Sequence, residues 1–142
     1  MKPRSVVFLA IIGLGVSFIS LGCGRADGPE IASVEGVVTL NGTPIEGAGV
    51  SFEPIPEGRS SFALTDADGH YELNYLPGKD GAIVDEHQVR ISKFRKALKD
   101  DNGQVVDPGV PEAFPPSANS ESDLKVTVKE GSNTFDFPIQ MQ

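Results

Sequence analysis

The side chains able to do chemistry in this chain are few. Cys23 is the single cysteine, and His70 and His87 are the only histidines among 142 residues. A thiol can be acylated, oxidised or joined to a second thiol, and with no second thiol an intrachain disulfide is excluded. With Cys23 set aside, two histidines do not supply a Cys/His nucleophile pair or a zinc site of several His and Cys ligands. His87 falls on the inward face of an alternating stretch, where a packed histidine is expected. His70 follows a turn glycine and is expected at the surface. Clustered oxygens are the other resource: Asp66 and Asp68, with Asp80 and Asp85 nearby, are of the type that hard cations select. The run Asp66-Ala67-Asp68-Gly69 lacks the third acidic position and the downstream glutamate of a helix-loop-helix calcium loop, and Asp and Gly in that order also make a tight turn. Asp66 and Asp68 therefore stand as weak calcium candidates with a turn as the competing reading. No catalytic residue and no cofactor is expected. A basic group, Lys93, Arg95, Lys96 and Lys99, could meet an anionic glycan or an acidic partner, or simply begin a solvated loop.

Charge narrows the partners. The formal net charge is −8, and removing residues 1–22, which hold Lys2 and Arg4 and no acid, makes it −10. An acidic surface repels nucleic acid and anionic lipid headgroups, since both are bound through Lys and Arg, so no nucleic-acid partner is expected.

The position of Cys23 explains it. Lys2 and Arg4 precede an uncharged apolar run from Val6 to Leu21, the layout of an export signal. These 16 residues would rise about 24 Å as a helix, short of the roughly 30 Å hydrocarbon core. Ser20-Leu21-Gly22-Cys23-Gly24 then resembles the bacterial lipobox, in which the cysteine thiol receives a diacylglyceryl group and the chain is cut before it. The resemblance implies residues 1–22 as a lipoprotein signal peptide and Cys23 as the lipidated first residue of the mature chain, with the membrane as a partner through the anchor. It implies location in the cell envelope, outer membrane or periplasm-facing, because Gly24 is not the Asp associated with inner-membrane retention. Two other readings of the same residues stay open: a small-x-small cleavage site releasing a soluble secreted protein, and a retained helix. Residues 23–31, polar and containing Gly and Pro, suit a short tether.

Whatever the anchor, residues 32–142 must position any site. Sixteen Gly and 11 Pro point to many turns and few long helices. From Ile31 the pattern is period-two alternation broken by turn residues, the signature of antiparallel β structure. Val34, Gly36, Val38 and Leu40 share a strand face and Asn41-Gly42 signals a tight turn. Ala48, Val50 and Phe52 make a second strand, Phe62 to Thr65 a third, and Tyr71, Leu73 and Tyr75 a fourth, the last two forming a hairpin. His87, Val89 and Ile91 make a fifth. Leu124 to Val128 and Phe135 to Ile139 form a closing hairpin, for about seven strands in all. Residues 95–123 form a long polar, Pro-containing segment without alternation, either a recognition loop or a spacer stitched down at points such as Phe114.

Three stretches carry a further likeness. Val34 to Phe52, Val-Glu-Gly-Val-Val-Thr-Leu-Asn-Gly-Thr-Pro-Ile-Glu-Gly-Ala-Gly-Val-Ser-Phe, then Thr65-Asp66-Ala67-Asp68-Gly69-His70-Tyr71, then Val128 to Phe137, resemble the opening, middle and closing elements of carboxypeptidase regulatory-like domains. The resemblance implies an all-β, about seven-stranded antiparallel Greek-key β-sandwich of the transthyretin type, used as a non-catalytic structural or binding module toward an envelope protein or glycan. The same sandwich serves hydroxyisourate hydrolases, the enzymatic alternative. Their closing Tyr-Arg-Gly-Ser motif is missing here, where the chain ends Phe-Asp-Phe-Pro-Ile-Gln-Met-Gln.

Overall fold

Alternation in the sequence becomes alternation in burial. Along β1 (Ile31–Leu40), Ala32, Val34, Gly36 and Val38 are buried while Ser33 and Glu35 face solvent. The structure, a computed structural model, describes residues 28–141. Within them the chain is all-β, with β2 (Thr43–Pro44), β3 (Gly49–Pro54), β4 (Ser61–Leu64), β5 (His70–Glu72), β6 (Asn74–Leu76), β7 (Lys79–Asp80), β8 (Ala82–Ile83), β9 (Glu86–Ser92), β10 (Leu98–Lys99), β11 (Val105–Asp107), β12 (Lys125–Thr127), β13 (Ser132–Thr134) and β14 (Phe137–Ile139), and one 3₁₀ turn at Pro116–Ala118.

Two six-stranded sheets form. In the first, β1 is the hub, pairing antiparallel with β2, β5 and β8 and parallel with β13 and β14. The second runs β12-β9-β3-β4-β6-β7 and is antiparallel throughout. Their inner faces share one core, Val34, Val38, Tyr71, Phe137 and Ile139 from the first against Val50, Phe52, Ala63, Val89 and Ile91 from the second. Phe52 is its centre: the ring is fully buried, with centroids of Tyr71, Phe135, Phe137 and His87 at 6.4, 6.0, 6.2 and 5.8 Å, within the range where tilted and edge-on aromatic pairs attract.

Three sequence expectations change. The count of about seven strands becomes fourteen short segments among the described residues, because strands break where the chain changes partners. The fourth expected strand divides at Leu73: β5 stays with β1 and β6 crosses to β4. The closing hairpin is not a hairpin, since β12 joins β9 in one sheet while β13 and β14 join β1 in the other, and it is this last pairing that makes the first sheet mixed rather than antiparallel. Tyr71, Leu73, Val128, Phe137 and Ile139 are buried and Leu124, Val126 and Phe135 pack against the core, so periodicity alone does not choose the partner strand; Tyr75, expected inward, is instead half-buried with Lys79 over its ring. The Asn41-Gly42 turn forms as expected, with φ of 50° and 81° at its two residues.

Gly36 sets the closest approach in the sandwich. Between β13 and β14 the chain bulges inward, and a Cβ on Gly36 would lie 1.8 Å from the Phe135 carbonyl oxygen. The bulge is held by the Phe135 N–H donating to the Glu35 carbonyl at 2.9 Å, the Val37 N–H donating to Asp136 Oδ1 at 2.9 Å, and the Tyr71 hydroxyl donating to the Phe135 carbonyl at 2.7 Å. Burial first, and the Asp136 carboxylate second, push the Tyr71 phenol far above its ordinary range, so the hydroxyl stays a donor.

The two ends of the sandwich differ. At the entry end Val84 N–H donates to Glu30 and Ile55 N–H to Glu86, beside the start of β1. At the far end Asn41 N–H donates to Ile139, Gly47 N–H to Thr65, and Gly49 pairs with Ser92. Residues 93–110 leave from this far end, closed at their base by the Arg95–Val110 bridge and folded into the β10–β11 hairpin.

Gly36→Ala is expected to lower stability by about 3 kcal/mol or more, because backbone must move to admit the methyl group. Tyr71→Phe should cost about 1–2 kcal/mol by leaving the Phe135 carbonyl without its donor. Urea denaturation of the two variants against wild type measures both.

Candidate functional site

The Asp66–Gly69 turn decides what the acidic residues can do. Asp66 Oδ1 accepts the N–H groups of Asp68 at 2.9 Å and His70 at 3.0 Å, and the Asp66 N–H donates to the His70 carbonyl at 2.9 Å. Gly69 has φ of 74°, and a side chain there would meet the Val38 carbonyl at 2.5 Å. Asp66 thus fixes its own turn, as its place before Gly69 suggests. Asp80 sits at the end of β7, while Asp85 lies at the entry end, where its Oδ1 accepts the Glu86 N–H.

The turn instead delivers His70 to the outer face of β1. Register places Glu35 directly opposite Glu72 and Val37 opposite His70. His70 Nε2 lies 3.7 Å from Glu35 Oε2, and His70 Nδ1 lies 4.0 Å from Asp66 Oδ2. One ligand atom from each of Glu35, His70 and Glu72 falls within 4.8 Å of the others. Beside this trio runs a groove of about 290 Å³ lined in part by Ser33, Glu35, Glu72, Asp80 and Ser132. Residues 35 and 72 are absent from the sequence-level candidates because they are 37 positions apart and meet only through the β1–β5 register. A Glu on the exposed parity of each strand was the available signal.

His87 is fully buried; its Nε2 is 2.8 Å from the Ile83 carbonyl, and its Nδ1 has no partner among the described residues. A carbonyl can only accept, so Nε2 carries a hydrogen toward Ile83, and the ring is a core element packed on Phe52.

At the far end, Leu64 of β4 and Phe94 are exposed, as are Leu98, Val105 and Val106 along the 93–110 excursion, which also carries Lys93, Lys96 and Lys99. An apolar hollow of about 390 Å³ is lined by Gly47, Leu64, Lys93, Phe94, Arg95 and Val110. Arg95 is already spent on Asp107: hydrogen bonding and charge raise the guanidinium and lower the carboxyl, Asp107 also accepting the Gly109 N–H. Among the described residues Lys93, Lys96 and Lys99 make no ion pair, so the basic group of the sequence is reduced to these three lysines interleaved with apolar side chains.

The rest of the 95–123 segment is stitched down. Phe114 and Ala118 are buried in the core, Arg90 donates to the carbonyls of Asn119 and Ser120, and Gln88 and Ser122 link it to β9. Glu112 is the principal clasp: Oε1 accepts the N–H groups of Lys93, Ala113 and Phe114 at 3.0, 2.9 and 3.0 Å, and Oε2 accepts from Ser92 Oγ and Asn119 Nδ2. Burial pushes the Glu112 carboxyl up, but the donors from Lys93, Ser92, Phe114 and Ala113 outweigh it and hold the group below the ordinary carboxylate range.

Cys23 lies outside the described residues, and among those described no helix is long and apolar enough to cross a membrane. No family model matches the chain, and neither does any curated protein.

Because its folded value is depressed, Glu112 stabilises the fold above the unfolded-chain value of about 4.3, and that contribution is lost as pH falls through the lower folded value. Glu112→Gln is expected to lower stability by about 1 kcal/mol at neutral pH, since the charged acceptor is lost, with the gap from wild type closing in acid. Urea midpoints of both proteins, taken at neutral pH and again below the folded carboxyl's range, check the sign.

Proposed function

We propose that this chain is a lipid-anchored, non-catalytic β-sandwich lipoprotein of the cell envelope, of the carboxypeptidase regulatory-like type, that holds a binding surface away from the membrane. Fourteen segments reduce to seven strand positions when β5 joins β6, β13 joins β14, and the short β2, β7, β8, β10 and β11 are taken as edge additions, a number that supports a seven-stranded sandwich. The observation that carries the functional reading is polarity. The chain enters the sandwich at one end, and the excursion with the exposed apolar and basic side chains leaves at the other.

An anchor on Cys23 would root the entry end, because residues 24–30 span at most about 25 Å. Ten residues of β1 carry the chain about 33 Å further before the far end is reached. Exposed Phe94 and Leu64 beside Lys93, and exposed Leu98 between Lys96 and Lys99, fit a protein partner with apolar side chains and an acidic rim better than a glycan, which offers less apolar area. The chemistry is binding: His87 is locked in the core, and the thiol is used for attachment.

Cys23→Ser tests the anchor. Wild-type protein is expected in the membrane fraction, with an intact mass that starts at Cys23 and includes acyl chains; the variant should lose both. A wild-type protein that is soluble, unacylated and indistinguishable from the variant contradicts the proposal.

A further inference from the structure

The outer face of the β1–β5 pair carries an arrangement that anchoring and far-end binding do not use. We infer that Glu35, His70 and Glu72 form a binding site for a divalent transition ion of the zinc class, with Asp66 as a positioning residue behind the histidine.

Two features besides proximity support a cation there. Glu35 and Glu72 are directly opposed across antiparallel strands, a like-charge pairing that costs stability in a sheet unless something neutralises it. Among the described residues no Lys or Arg lies within 4.0 Å of either carboxylate, and His70 is the one basic group that approaches. The second feature is the far side of the imidazole. His70 presents Nε2 to the glutamates while Nδ1 faces Asp66 Oδ2 at 4.0 Å. A carboxylate on the distal side is the usual outer partner of a metal-bound histidine, and Asp66 stands on that side, though at 4.0 Å it is not hydrogen-bonded to Nδ1. Asp66 cannot swing away, because its Oδ1 is held by the N–H groups of Asp68 and His70.

The donor set chooses the ion. One imidazole nitrogen and two carboxylate oxygens suit Zn²⁺ and its borderline neighbours, whereas Ca²⁺ and Mg²⁺ ask for more oxygens and no nitrogen. Three protein ligands on two strands leave a fourth position directed outward, beside the groove that holds Asp80, Ser33 and Ser132. These ligands differ from the Asp66 and Asp68 of the calcium reading, and Asp66 takes a supporting place. The site does not depend on acylation of Cys23.

Calorimetric titration of Zn²⁺ and of Ca²⁺ into the purified protein, in a Cys23→Ser background that removes the one competing thiol, tests it. Saturable 1:1 Zn²⁺ binding is expected, at least about 100-fold tighter than Ca²⁺. Glu35→Gln, His70→Gln and Glu72→Gln should each weaken it by more than Asp66→Asn does, and Asp66→Asn, which keeps the turn-forming oxygen, by about tenfold. Circular dichroism and urea midpoints confirm that the variants fold. No saturable Zn²⁺ binding, equal affinity for Ca²⁺, or Zn²⁺ affinity unchanged by the three ligand substitutions overturns the assignment and leaves the trio as an exposed ion pair.

Discussion

The close passage of the Phe135 carbonyl over Gly36 is the constraint on which the sandwich depends. It requires that residue 36 have no side chain, and it requires a donor for the carbonyl, which Tyr71 provides from the neighbouring strand. Through it β1 can pair with β13 on one side of the bulge and with β14 on the other, in parallel both times. The bulge also turns Phe135 and Phe137 toward Phe52, so a backbone contact in one sheet sets the aromatic packing between sheets. An inward carbonyl without Tyr71 would be a buried acceptor with no partner, the kind of defect that folded proteins rarely retain.

From this centre the fold acquires direction. Once β1 is fixed as the hub, β5 must run back beside it, and the tight turn that Asp66 and Gly69 form returns His70 to the outer face next to Glu35. β9 finishes at the far end, and its edge beyond β12 is covered by the segment around Ser122 and Glu112 instead of by a strand. Covering an edge this way removes a template for unwanted pairing. It also lets the 93–110 excursion project from a clamped base. The apolar tips at Leu98, Val105 and Val106 are thus held out by Glu112 and the Arg95–Val110 bridge.

Much of this was readable in the residues. Alternation at Val34, Val38, Val50, Phe52, Tyr71, Leu73, Val89 and Ile91 identified buried positions correctly, because one face of each strand must be dry. Gly36 falls on the inward face by alternation, but the chain that passes over it is not encoded locally. Asn41-Gly42 gave its turn through positive φ at both residues. Partner choice was hidden, since β12 and the closing segment keep the same inward parity whether they pair with each other or with opposite sheets. The Glu35, His70 and Glu72 trio was hidden for the same reason: it is made by register, and no local spacing encodes it. Glu112 was missed because its role comes from five donors gathered by a loop whose conformation no periodic pattern describes.

The central proposal is polarity: a lipid-anchored entry end and an exposed far end. Nitroxide labels on Glu30→Cys and Val106→Cys, placed one at a time in protein added to or recovered with membranes, report depth through collision with a lipid-soluble or a water-soluble relaxant. The account predicts that the label at position 30 senses the bilayer surface and the label at position 106 responds only to the aqueous relaxant. A label at position 106 that is shielded from water and relaxed from within the lipid would contradict it.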